Sequence, residues 1–301
     1  KLLLKKGYKV HGIDNFSNYY DVKLKKTRND ILTKDKNYTF QKIDIERNLT
    51  DKINFKPDIL IHLAAQAGVR YSIENPTAYL NTNVLGTHNI LEFARNNQVG
   101  HLLMASTSSV YGANEKLPFK ESDKCQHQMS YYAATKKSNE VMAHAYSHIY
   151  GMPITMFRFF TVYGPYGRPD MALFKFTKNI IEGKKIEVYN KGNMFRDFTY
   201  IDDLVKAIHM LSKTPPKLKS EFEGQTNVAK FRIVNIGNSK TENLMTYINQ
   251  IENKLNLKAK IKFMPMQKGD VQKTSASTIF LQKLTGFKPK TTIKVGVPKF
   301  V

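Results

Sequence analysis

Short apolar runs alternate with longer stretches of helical period through the first half of the chain. Tyr8 to Asp14 reads as a strand ending on an acid, Tyr38 to Ile45 as a second, and Asp58 to Ala65 as a third that runs into small residues. His101 to Ser106 and Ile154 to Phe159 are a fourth and a fifth. Between them, apolar residues three and four apart predict helices over Thr77 to Gln98 and Tyr131 to Tyr150, the second stopped by Gly151 and Pro153. Lys1 to Gly7 reads as the tail of a helix. Strands separated by helices imply a parallel sheet covered on both faces. Ligands of such sheets sit at the carboxyl ends of the strands.

After about Thr161 the pattern changes. Gly164, Pro165, Gly167 and Pro169 crowd together, and strand-like Ile186 to Tyr189 and Ile261 to Met264 are separated by helices. A continuous strand, Arg232 to Ile236, is placed to rejoin the first sheet. The expected fold class is α/β. A Rossmann-type doubly wound parallel sheet occupies residues 1–160, and a smaller α/β substrate-binding region occupies 161–301, with 196–240 partly returning to the sheet.

Composition narrows the functional classes. Hydrophobic residues make up 41% and charged residues 24%, which excludes a disordered or disulfide-built chain. No run approaches the roughly 20 apolar residues that span a bilayer. The opening Lys1 to Lys6 is too short for a signal peptide, and the single Cys125 cannot form an internal disulfide, so a reducing cytoplasm is expected. Lys plus Arg is 47 against 25 acids, a net charge of +22. Only eight of those bases are Arg, and the Lys residues are scattered, whereas sequence-specific nucleic-acid readers lean on Arg forks. An anionic small substrate is therefore expected rather than nucleic acid, and no metal.

Three constellations can carry chemistry. Tyr132 and Lys136 lie one helical turn apart. An ammonium beside a phenol lowers the phenol's pKa and makes a base able to take a proton from a sugar hydroxyl. Ser106 to Gly112 places hydroxyls directly after a strand, where they can hydrogen-bond a substrate oxygen. Asp14, closing its strand, can bind a ribose diol and repel a 2′-phosphate. Gly7 and Gly12 do not form the Gly-rich phosphate loop that belongs before this helix, so the chain is expected to begin just after it.

With these constellations in order, the chain resembles the extended short-chain dehydrogenase/reductases, within the nucleotide-sugar epimerases and most of all the UDP-glucuronate 4-epimerases. The resemblance rests on Asp14 to Phe16 with Tyr19 to Asp21, His62 to Arg70, Ser106 to Gly112, Tyr131 to Lys137, and Arg158 to Pro165. It continues through Gly167 to Ala172, Arg196 to Asp203 and Gln267 to Val271. Lys268 stands where the family often has Pro, and the chain stops early after Ile293.

The resemblance implies Tyr132 as base, Lys136 as its partner and holder of the nicotinamide ribose, and Thr107 against the substrate's 4-hydroxyl. It implies NAD as cofactor, with Asp14 and Asn15 at the adenosine ribose and Asp44 and Ile45 flanking the adenine. Leu63, Ala64, Ala65 and Gln66 would line the cofactor, with Asn83 and Ser106 near its nicotinamide half. Lys175, Val188, Arg196 and Asp270 would surround the UDP moiety, and Ser108, Ser109, Thr161 and Arg168 the uronate carboxylate. The implied reaction inverts C4 of UDP-glucuronate through a 4-keto intermediate, supplying polysaccharide synthesis. Two helices, Thr77 to Gln98 and Tyr131 to Tyr150, would form a homodimer interface. A 4,6-dehydratase would carry Asp-Glu at Ser108-Ser109, and a decarboxylase usually has Glu at Ser108. The alternatives left open are a UDP-glucose or UDP-N-acetylglucosamine 4-epimerase, typically with Asn at Thr161, and an inactive, truncated binding chain.

Overall fold

The computed structural model describes residues 1–50, 52–218, 226–267 and 269–301, so Lys268 lies outside the described residues. Five strands lie where alternation placed them: β1 (Val10–Asp14), β2 (Tyr38–Lys42), β3 (Ile59–His62), β4 (His101–Thr107) and β5 (Ile154–Phe159). The later strands are β6 (Thr161–Tyr163), β7 (Lys185–Tyr189), β8 (Phe195–Tyr200), β9 (Phe231–Ile236), β10 (Thr241–Asn243) and β11 (Lys260–Met264). One parallel sheet runs in the order β3-β4-β5-β9, so the late strand rejoins the early ones. β1 and β2 pair in parallel as a sheet of their own.

Alternation along β4 divides the core. Leu102 and Met104 pack with the helices Gly86–Asn96 and Tyr131–Tyr150, through Ile90, Leu91 and Ala143. Leu103 packs on the other face with the helices Ile201–Ser212 and Ile279–Thr285, through Leu204, Ile208 and Leu281. Both faces are thus covered, as continuous apolar strands require. A separate core lies in the second half, where Ile186, Val188 and Phe198 meet Phe176 and Tyr247.

Two local departures have physical causes. The helix expected over Thr77 to Gln98 is not continuously α-helical. Asn75 caps Pro76–Tyr79, Leu80–Leu85 widens into a π-helix, and Gly86–Asn96 resumes the α-helix. Such a widening shifts the register without erasing the apolar period, so periodicity alone does not reveal it. The helix Val22–Leu32 carries no buried residue and so no apolar stripe to announce it. Among the described residues, no helix is long and apolar enough to cross a membrane.

Candidate active site

Ser130 fixes the start of the helix Tyr131–Tyr150, its Oγ accepting from the Ala133 N–H at 3.1 Å. Gly151, left-handed at φ +66°, ends it. Tyr132 and Lys136 follow one turn apart on this frame. Tyr132 reaches the Thr107 hydroxyl at the end of β4, and Lys136 lies beside His62 at the end of β3. The expected lowering of the phenol's pKa is not what this geometry gives. Burial holds Tyr132 above its ordinary value, with the Thr107 hydroxyl and the Arg168 guanidinium working against that burial.

Burial pulls Lys136 down to about 8, opposed by the Glu140 carboxylate. Among the described residues Lys136 has no ion pair or side-chain hydrogen bond, although its side chain is 2% exposed. A folded-state pKa below the ordinary 10.5 means that the unfolded chain holds this proton more tightly. The cost to stability is full below about 8 and fades as pH rises towards 10.5. Lys136→Met is expected to raise stability at pH 7 by about 2 kcal/mol, seen as a higher Tm. That gain should shrink steadily in alkaline buffer, and a Tm unchanged at pH 7 would show the ammonium to be paired or hydrated.

The hydroxyl ledge after β4 is built by the strand's last residue. Thr107 Oγ1 accepts the Ser109 N–H at 3.2 Å and opens the 3-10 turn Ser108–Tyr111. Ser108, Ser109, Thr161, Arg196 and Asp270 line one cavity of about 130 Å³. Arg196 donates from Nη2 to Asp270 Oδ1 at 2.7 Å and from Nη1 to the Gln272 carbonyl at 3.0 Å. Arg168 forks onto Asp170 at 2.9 and 2.5 Å while its charge acts on Tyr132. Its loop is tied back to the helix Val22–Leu32, since Arg28 donates to the Gly167 carbonyl at 2.9 Å. Lys175 is exposed and acts electrostatically on Asp170. Val188 does not join the group through its side chain, which is fully buried in the second core; only its backbone is left to face a ligand.

A second row follows the carboxyl ends of the strands. Asp14 is exposed at the end of β1, its Oδ1 accepting the Phe16 N–H at 2.7 Å. Asn15 donates to Asp44 Oδ2 at 3.1 Å, joining the ends of β1 and β2. Leu63 and Ala64 are exposed after β3, with Ala65 and Gln66 half-buried behind them. An exposed acid at the end of β1 can accept from a ribose diol. Three members of this row turn their side chains inward. Ile45 is a core residue, packed with Ile90 and Leu91, so its side chain cannot flank a base. Asn83 is fully buried on the π-helical segment and clamps Gln66, accepting from its N–H at 2.8 Å and donating to its carbonyl at 3.0 Å. Ser106 is turned into the protein, donating to Glu140 Oε1 at 2.7 Å. Asn83 and Ser106 therefore shape the site from behind.

The residue that sequence reasoning missed is Glu140. It holds Arg158 in a bidentate pair at 2.9 and 2.9 Å. The i, i+4 spacing from Lys136 was the available signal.

Residues 1–300 match the family model described as GDP-mannose 4,6 dehydratase. The chain is 49% identical to protein CapI of Staphylococcus aureus over 310 residues, covering 100% of this chain and 92% of that protein. It is 48% identical to the probable UDP-glucuronate 4-epimerase of Rhizobium meliloti strain 1021, covering 100% of this chain and 91% of that protein. The crystal structure of UDP-glucuronic acid 4-epimerase from Bacillus cereus, in complex with UDP-glucuronic acid and NAD, superposes with a TM-score of 0.88 at 29% identity, over 98% of this chain and 91% of that one. This chain belongs to the GDP-mannose 4,6 dehydratase family, among the extended short-chain dehydrogenase/reductases.

Proposed function

We propose that this chain is an NAD-dependent isomerase that inverts C4 of a UDP-sugar, converting UDP-glucuronate to UDP-galacturonate. The observation that carries the reading is Tyr132, on whose phenol the Thr107 hydroxyl at the end of β4 acts, one turn from a buried Lys136 that has no ion pair or side-chain hydrogen bond among the described residues. The names of the Rhizobium meliloti relative and the Bacillus cereus structure support it. A buried cation without a hydrogen-bond partner among the described residues suits a ribose diol, and exposed Asp14 suits a second one, so the residues fit a dinucleotide without a 2′-phosphate. Lys136, Asp14, Asn15 and the Leu63 to Gln66 segment would hold it. When bound, NAD supplies the reversible oxidation at C4 that makes the inversion redox-neutral.

The chain's own residues do the rest. Tyr132, as phenolate, takes the proton of the 4-hydroxyl as C4 is oxidised, and returns it when C4 is reduced from its other face. The Thr107 hydroxyl orients that same oxygen. The Arg168 guanidinium, whose charge acts on Tyr132, favours the phenolate electrostatically, while the Lys136 ammonium stands one turn away. Arg196, half-buried beside Asp270, presents a cation to a diphosphate. The 4-keto uronate is a β-keto acid and loses CO₂ when its carboxylate bond aligns with the carbonyl π system. Neutral hydroxyls of Ser108, Ser109 and Thr161, lining one cavity, suit holding the carboxylate out of that alignment.

One observation favours a neutral sugar as second reading: Arg168 is already forked onto Asp170, which reduces the charge left for a uronate. Comparing kcat/KM for UDP-glucuronate and UDP-glucose decides between them. UDP-glucuronate is expected to win, with UDP-galacturonate formed and no CO₂ released. Turnover of UDP-glucose alone, or CO₂ release, overturns the reading.

The same reading divides the chain into a cofactor domain over 1–160 and a substrate region over 161–301 that partly returns at 196–240. It also assigns the chain to the cytoplasm as a homodimer. Exposed Leu80 and Leu85 on one helix, and Val141 and Ile149 on the other, support the dimer, which light scattering would show as twice the chain mass.

A further inference from the structure

Resting on the 4-epimerase reading, we propose that Glu140 is a positioning residue for the Tyr132 and Lys136 pair: its buried carboxylate is the counter-charge that keeps Lys136 an ammonium, and Arg158 keeps that carboxylate ionised. Tyr132, Lys136 and Glu140 are spaced by four along one helix, so they stand in a line on one face. The Glu140 side chain is 2% exposed and all its hydrogen bonds come from donors. Oε1 accepts from Arg158 Nε at 2.9 Å and Ser106 Oγ at 2.7 Å; Oε2 accepts from Arg158 Nη2 at 2.9 Å and Lys137 Nζ at 3.0 Å. The carboxylate therefore touches the strand that ends in Thr107 and rides the helix that carries Tyr132.

The charged and titratable surroundings leave Glu140 this role. Facing Lys136 are Glu140 from its own helix and His62 from β3, and His62 is neutral, its pKa pushed down to about 3 by burial. Facing Glu140 are Arg158 from β5, Lys137 one turn back, and Cys125, which burial keeps a thiol. Behind Arg158 stand Tyr111, whose ring lies 4.7 Å from the guanidinium, and the Glu121 carbonyl at 3.5 Å. Glu140 is the anion that acts on Lys136 among these groups. A buried ion pair adds little net stability, so a pair placed one turn from a strained ammonium is better explained by what it does to that ammonium.

The test is a double-mutant cycle read in stability and backed by a pH profile. Glu140→Gln keeps the size and an acceptor oxygen but removes the charge. If Glu140 is the counter-charge, Lys136→Met raises Tm at least twice as much in the Glu140→Gln background as in the native one, because the ammonium it removes is then uncompensated. The alkaline limb of kcat, set by loss of the Lys136 proton, moves down by about one pH unit. Glu140→Asp restores it. Should Glu140→Gln strand Arg158 and fail to fold, Glu140→Gln with Arg158→Met removes both charges and carries the same expectation. Equal Tm gains in every background, with an unmoved limb, overturn the proposal and leave the pair structural. A native protein that leaves UDP-glucuronate unchanged would instead defeat the epimerase reading, while the stability cycle still decides the role of Glu140.

Discussion

Tyr132→Phe lowers kcat for UDP-glucuronate about 10³-fold, with KM changed by less than a few-fold and Tm unchanged. The Thr107 hydroxyl acts on the phenol, and the ring keeps its edge contact with Tyr79 at 6.0 Å, so the substitution removes one proton acceptor and little packing. The loss corresponds to about 4 kcal/mol of transition-state stabilisation. No neighbour substitutes well: Thr107 is a neutral hydroxyl, and Lys136 is useful only while it keeps its proton. Burial holds the Tyr132 phenol high, so kcat should climb with pH through the neutral range as phenolate forms. It should turn over once Lys136, held at about 8, begins to lose its charge. Steady-state kinetics across that range check both statements. A Tyr132→Phe enzyme within tenfold of native would assign the base elsewhere.

Asp197→Ala is expected to cost about 3–6 kcal/mol of stability, because it strips the acceptor from three N–H groups at once, two of them buried. Asp197 is fully buried on β8 and accepts from Asn238 N at 2.6 Å, Ser239 N at 3.0 Å and Ala276 N at 2.9 Å. It thereby ties β8 to the turn after β9 and to the segment that follows Thr274. Arg196 beside it and Thr274 both line the cavity that also holds Ser108, Ser109 and Thr161, so the same substitution should loosen that cavity. The junction has no room to adapt, since a Cβ on Gly237 would lie 2.4 Å from the Ala276 Cβ and 3.0 Å from an Asp197 oxygen. Thermal unfolding should show a Tm about 10 °C lower. Burial raises the Asp197 pKa to about 6, so the native state holds this proton more tightly than the unfolded chain. Its contribution is therefore greatest in acid and declines as pH rises from about 4 to 6. Asp197→Asn removes that slope and turns an amide N–H₂ towards donors, so it too should destabilise.

The strands and the main helix were legible because their signals are local. Tyr131–Tyr150 ends at Gly151, the residue that the sequence marks as its stop, and unbroken apolar runs announce β4 and β5. Tyr132, Lys136 and the hydroxyls after β4 were readable for the same reason: spacing along one element puts them together. What sequence spacing did not show depends on residues brought from far away. Val188 and Ile45 look available in sequence but are drawn into cores by partners such as Tyr247 and Leu91. Arg196-Asp197 reads as a charged pair in a motif. Only the fold turns Arg196 to Asp270 and Asp197 to three backbone N–H groups in other segments. The pKa of Tyr132 was misjudged in direction because helical spacing sets where Lys136 stands, while burial of the phenol is a property of the packed site.

The central claim is that Tyr132 and Lys136 serve a reversible oxidation at C4 of a UDP-sugar. UDP-glucuronate deuterated at C4, incubated with the enzyme and NAD in ordinary water and analysed by NMR, tests it most directly. The account predicts UDP-galacturonate with the deuterium still on C4. Product that has exchanged its C4 label for solvent hydrogen, or no change at C4 at all, would contradict it.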